Sequence, residues 1–125
     1  NTPYIAALAG TNLFVGRASA GTVLLDDYPH VFSVADTTTA GPVVLTVDPR
    51  AISLHPTRTE GSPRNTWATT VELVEPMGDT VRITLADPIP AAVDITPDAV
   101  VSLALAPGVA VWAAVKATEI TISST

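Results

Sequence analysis

Six side chains carry all the lysine and arginine charge of this chain, and three of them, Arg50, Arg58 and Arg64, share one window in which Glu60 is the only acid. Around Arg64 the sequence reads Ser62-Pro63-Arg64-Asn65-Thr66-Trp67, a polar knot ahead of a long strand-like run. Lys116 closes another such run and is followed by the small residues Ala117 and Thr118, which leave backbone N–H groups open to a ligand. Turn N–H groups, a lysine ammonium and a hydroxyl are what a tetrahedral oxyanion needs. Pro63 stiffens the loop that presents them. Local donors select an anion at close range even though the net charge is −6. Spacing alone favours a plainer arrangement, in which Lys116 caps a barrel end and Arg64 pairs with a carboxylate.

Other chemistries find little support. Cysteine is absent, so there is no disulfide frame, thiolate metal site or cysteine nucleophile. The G-x-S-x-G nucleophile elbow is missing, and so is the GxxxxGK[ST] phosphate loop. The chain is therefore read as a non-enzyme that cannot itself be a P-loop ATPase. His30 and His55 each lie beside a proline-containing turn and read as loop histidines. Asp26, Asp27 and Asp36 lack the loop spacing of a calcium site and read as solvated turn acids. The negative charge argues against nucleic acid as a partner. No apolar run is long enough to span a bilayer, and the start lacks the basic-then-apolar pattern of a secretory leader. Without an initial Met, the chain reads as an excised piece of a longer one. Only 14% of residues are charged, and a surface that poor in charge calls for a partner.

The elements that must position these groups are strands. Val, Ile and Thr are abundant, with 11 Pro and 7 Gly between them. Turn-bounded runs predict strands at Thr22–Leu25, Val31–Val34, Val43–Val47, Ala68–Val74, Thr80–Leu85, Ala91–Ile95, Val109–Val115 and Ile120–Ile122. Turns fall at Asp26-Asp27, Gly41-Pro42, Gly78-Asp79 and Asp87-Pro88. Tyr4–Leu8 reads as the tail of an incoming helix. Thr96–Leu103 reads as a short helix with Thr96 as N-cap, Pro97 in the first position and Asp98 in the first turn. Val44, Leu73, Val81, Ile83, Leu103, Leu105, Val111 and Val115 are assigned to the core. Trp67 and Trp112 are candidates for a dimer seam, with core packing equally open for Trp112. The expected fold is all-β: small OB-like β-barrels, in two tandem β units with one short helix in the second.

The tandem reading rests on an internal repeat. Gly10–Ala18 resembles Pro63–Val71 around a shared asparagine, and Val43–Leu54 resembles Val111–Ile122. Asn12 and Asn65 are 53 positions apart, and Asp48 and Lys116 are 68 apart. The helix and turn after Thr96 account for the difference. The division expected is 1–57, a joining segment and first unit, and 58–125, the anion-binding unit.

Ser62–Asn65, Gly78, Ala92–Thr96, Leu103–Gly108 and Val115–Ala117, in that order and spacing, resemble the Mop/TOBE domain. More narrowly they resemble the C-terminal regulatory domain of the ATP-binding subunit of bacterial molybdate ABC importers. Pro3–Gly16 is similar to the segment that joins such a domain to its ATPase core. The resemblance implies OB-like barrels working as a homodimer, with molybdate or tungstate bound between subunits to feed back on transport. It implies no cofactor beyond that oxyanion, a parent ATPase domain and membrane permease as partners, and a cytoplasmic place beside the membrane. Carried over, the binding residues are Ser62, Arg64, Asn65, Thr96, Lys116 and Ala117. Two hydroxyls common in relatives are missing here, at Ala99 and Ala117. Asp48 stands in the first repeat where Lys116 stands in the second, so the first unit is expected to bind no anion by that route. The alternative is a TOBE interaction module of a sugar, iron or sulfate importer that binds no oxyanion.

Overall fold

The computed structural model describes residues 10–61 and 64–125, Arg64 by its backbone alone. The helix expected at Tyr4–Leu8 lies outside the described residues, as does Ser62. In chain order the strands are β1 (Asn12–Ser19), β2 (Thr22–Leu25), β3 (Val31–Ser33), β4 (Gly41–Val47), β5 (Ser53–His55), β6 (Arg64–Met77), β7 (Thr80–Leu85), β8 (Ala91–Ile95), β9 (Ala110–Lys116) and β10 (Ile120–Ser124). One helix, α1 (Pro97–Ser102), separates β8 from β9, and 3₁₀ turns occupy Pro49–Ala51 and Ala117–Glu119. The molecule is all-β, built as two OB-like units with a short helix in the second.

The strands follow from alternation. In β7, Val81, Ile83 and Leu85 point inward while Thr80, Arg82 and Thr84 are half-buried on the other face. In β4, Val43, Leu45 and Val47 point inward, which leaves Val44, expected in the core, only half-buried on the outer face. Leu73 is the larger correction, being 45% exposed. The register of β6 against β7 shifts between Val71 and Leu73, and this bulge reverses the parity of the strand. Val74 packs inward in its place.

Each unit contributes a five-stranded antiparallel sheet, ordered β10-β4-β1-β2-β3 and β5-β9-β6-β7-β8. The two sheets exchange edge strands. β5 precedes the stretch joining the units yet pairs with β9, Ser53 opposite Ala114. β10 ends the chain yet pairs with β4, Ile120 opposite Val47. The 3₁₀ turn leading into β5 packs on β8, the other edge of the second sheet, and so helps to close that barrel.

Two asparagines join the sheets. The buried Asn12 amide, on β1, donates to the Ala92 carbonyl at 2.8 Å and accepts from the Ala92 N–H at 2.8 Å. It also donates to the Val47 carbonyl at 3.3 Å. Asn65, on β6, does the same in the other direction. It accepts from the Ser33 N–H at 2.7 Å and donates to the carbonyls of Ser33 at 3.0 Å and Val115 at 3.4 Å. Each amide thus satisfies the backbone of an edge strand in the opposite sheet. The pairs Asn12/Asn65 and Val47/Val115 keep the repeat offsets of 53 and 68 positions. One hydrophobic cluster, including Phe14, Phe32, Leu45, Trp67, Ile83 and Leu85, fills the space between the sheets. Trp67 is 4% exposed and stacks edge-on against Phe32, which places it in the core rather than on an outer seam.

Gly16 shows how closely the strands approach. A Cβ at this position would lie 2.5 Å from the Leu24 carbonyl oxygen. Its counterpart in the second repeat is Thr69, whose hydroxyl donates to the carbonyls of Ala86 and Asp87, each at 3.0 Å. One repeat closes the contact with a glycine, the other spans it with a hydroxyl.

Candidate functional site

Antiparallel pairing of β6 with β9 places Arg64 directly opposite Lys116 and Asn65 opposite Val115. Ala117 follows at once as the buried first residue of the 3₁₀ turn Ala117–Glu119. The sheet therefore brings Arg64, Asn65, Lys116 and Ala117 to one corner. Lys116 is exposed and makes no hydrogen bond or ion pair with any described side chain.

Asn65 is at this corner, but its amide is occupied by Ser33 and Val115, so its side chain positions the strand instead of facing a ligand. Thr96 is exposed and caps α1, its hydroxyl oxygen accepting from the Ala99 N–H at 3.1 Å. The hydroxyl proton remains available to donate. Thr96 is not among the groups that line the pocket holding Lys116.

That pocket has a volume of about 260 Å³ and is lined by Arg50, Ala51, Ser53, Ala114, Val115, Lys116 and Glu119. Arg50 and Ser53 come from the first repeat and were not among the residues expected from sequence. The basic window held a signal for Arg50; nothing local in the sequence announces the β5–β9 pairing that delivers both. Arg50 forms an exposed ion pair with Asp48, its Nη2 3.1 Å from Oδ2. Hydrogen bonds from the Arg50 side chain and N–H hold the Asp48 carboxyl below the usual carboxylate range. The corner of the first repeat that corresponds to Lys116 is thus acidic and already neutralised.

A larger pocket of about 330 Å³ lies between β1, β7 and β8, with Asn12, Phe14, Glu75 and Arg82 in its wall. Its chief polar groups are already engaged, Asn12 by Ala92 and Arg82 by a two-pronged pair with Asp94 at 2.8 and 2.9 Å. The smaller pocket, with Lys116 unengaged among the described side chains, is the better candidate for an anion.

Of the two histidines, only His55 departs from the loop reading. His30 lies in the loop between β2 and β3, half-buried against Phe32 and Trp67, with ring centroids 5.0 and 5.9 Å away, and burial lowers its pKa. His55 lies in β5, its Nε2 2.7 Å from the Ser53 hydroxyl. Asp36 is engaged by the N–H and hydroxyl groups of Thr38 and Thr39.

The second OB-like unit, with its capped helix before β9, belongs to the TOBE family: the TOBE domain matches residues 61–122. Over 94% of its length the chain is 33% identical to the molybdenum import ATP-binding protein ModC of Mycobacterium tuberculosis, in strains CDC 1551 and H37Rv alike. It spans 34% of the length of those relatives. Among solved structures it is similar to the cytoplasmic molybdate-binding protein ModG in a form with molybdate bound. That likeness has a TM-score of 0.80 and 25% identity, over 91% of this chain and 96% of the other.

Proposed function

We propose that this chain is the ligand-sensing regulatory domain of a molybdenum importer's ATP-binding subunit, and that it binds molybdate or tungstate to feed back on transport. The observation that carries this reading is the Arg64–Lys116 cross-strand pair in a chain of net charge −6. Lys116, opposite the backbone of Arg64 and beside a small-residue turn, forms a corner that a dianion neutralises. The likeness to ModC and to molybdate-bound ModG supports the identity of that anion.

In this reading Lys116 supplies the charge, and the backbone around Arg64 and Ala117 supplies N–H donors. Ser62 adds a hydroxyl, and Asn65 holds β6 in place through its bonds to Ser33. Thr96 contributes its hydroxyl from a second copy of the chain, so the complete site needs a homodimer. Ala99 and Ala117 supply no hydroxyl; each hydrogen bond to a charged ligand lost in this way costs about 1.5–3 kcal/mol. The ligand is the oxyanion alone, with no further cofactor. The partners are the ATPase domain of the same subunit and, through it, the permease, which places the chain on the cytoplasmic side of a membrane. Among the described residues no helix is long and apolar enough to cross a membrane.

Thermal unfolding with and without molybdate tests this, with sulfate and phosphate as controls. A ligand at ~100 times its Kd stabilises by about 2.7 kcal/mol, a shift of several degrees for a domain of this size. The expected result is a shift with molybdate that is absent with sulfate and lost in Lys116→Ala. A folded chain that shifts with no oxyanion at millimolar concentration is instead an interaction module of another importer.

A further inference from the structure

We propose that the first repeat completes the anion pocket: Arg50 and Ser53, delivered by the 3₁₀ turn Pro49–Ala51 and the exchanged strand β5 that follows it, bind the oxyanion together with Lys116, while the Asp48 carboxylate competes with it for Arg50. This rests on the oxyanion reading above and extends its site across the boundary between the units.

The placement is the first argument. Ser53 pairs with Ala114, two residues before Lys116, and Arg50, Ser53 and Lys116 line one pocket. A pocket of about 260 Å³ admits a tetrahedral oxyanion together with water. The second argument is chemical. A guanidinium presents paired N–H donors that match two oxygens of a tetrahedral anion, a geometry that an ammonium alone does not offer. The Ser53 hydroxyl lies 2.7 Å from His55 Nε2 and 3.4 Å from the Ala114 carbonyl, and it can rotate its proton toward a ligand.

The third argument concerns the existing partner of Arg50. Its ion pair with Asp48 is 76% and 52% exposed, and pairs of that kind are weak and readily exchanged. Asp94 on β8 also attracts Arg50. An arriving dianion therefore meets a guanidinium held close to the pocket by Asp48, a partner it can displace. Glu119, the acid in the pocket wall, opposes the anion and sets a lower limit on how weakly a ligand can be charged and still enter. Asp48, the residue that disqualifies the first repeat as a site of its own, becomes the competitor that tunes the second.

Calorimetric titration of molybdate into the chain separates the outcomes. Arg50→Ala is expected to weaken binding roughly ten-fold, with Arg50→Lys intermediate. Asp48→Asn is expected to tighten binding roughly two- to five-fold, because it removes the competing charge. Its side-chain oxygen still accepts from the Arg50 N–H, so the 3₁₀ turn is kept. Opposite signs for these two variants are the signature of the proposal. If the pair merely shapes the turn, both variants move affinity the same way or leave it alone, and the proposal fails. If Arg50→Ala binds as the parent does while Lys116→Ala loses binding, this proposal is overturned and the oxyanion reading stands. If the parent chain gives no heat up to millimolar molybdate, both fall.

Discussion

Val47 and Val115 occupy the same place in the two repeats, and each carbonyl accepts a hydrogen bond from a buried asparagine amide. The next residue is Asp48 in one repeat and Lys116 in the other. Below this corner the repeats share the clamp, the strand register and a 3₁₀ turn. At the corner one is acidic and internally paired, the other basic and, among described side chains, unengaged. The scaffold that builds the corner is thus separable from the charge displayed on it. A duplicated unit can keep its interior and reverse the charge of its corner by changing one rim residue.

The comparison breaks first at the clamp. Asn12→Ala and Asn65→Ala each leave the N–H and carbonyl of an opposing edge strand unpaired, at about 2–4 kcal/mol. We expect both to lower the melting temperature by roughly 10 °C, and by similar amounts, in calorimetric scans. A loss confined to one of them means that the two clamps are not equivalent. Next comes the corner itself. Lys116→Asp, which copies the first repeat, should reduce molybdate binding by about a hundred-fold while changing unliganded stability by less than about 0.5 kcal/mol. Third, Gly16→Thr copies the second repeat into the first. Its Cβ collides with the Leu24 carbonyl, at about 1–3 kcal/mol in urea unfolding. A neutral Gly16→Thr would show that β2 has room to retreat, as β7 stands off from Thr69.

The smallest effect is a pH slope. By the clamp residues Ser33 and Ala92, His30 corresponds to Ile89, which is fully buried. Burial keeps His30 neutral in the folded chain, whereas the unfolded chain takes up a proton near pH 6.5. The folded pKa is the lower one, so the stability tied to neutral His30 is complete above about 6.5 and is lost as pH falls from there through the folded pKa. His30→Ile, which copies the second repeat, should flatten this slope. Asp48, whose folded pKa is also lowered, loses its contribution in a more acidic window, below the usual carboxylate pKa of 3.8.

The repeat and most of the strands were legible because they are local: alternating apolar runs bounded by Gly, Pro and Asp. β1 was hidden because Gly16 and Arg17 interrupt its apolar pattern, and the reason for Gly16 is a carbonyl on the neighbouring strand. β5 was hidden because three residues, Ser53 to His55, form a strand only by pairing with β9. Leu73 was misplaced because a bulge changes parity without a sequence mark of its own. At the site, the motif named Arg64 and Lys116, which the β6–β9 pairing sets opposite each other. It did not separate Asn65 as a clamp from Lys116 as an open charge, since that depends on Ser33, far away in sequence. The basic window pointed to Arg50, but its place in the pocket, like that of Ser53, was hidden for the same reason as β5.

The exchanged strands carry a further consequence. A tandem array of two modules can be cut apart; this chain, handcuffed to itself by β5 and β10, cannot. Residues 56–61, which follow β5, are largely exposed and include Arg58. A tryptic nick there yields two pieces, each gripping the other's sheet, that should travel together through gel filtration and part only in denaturant.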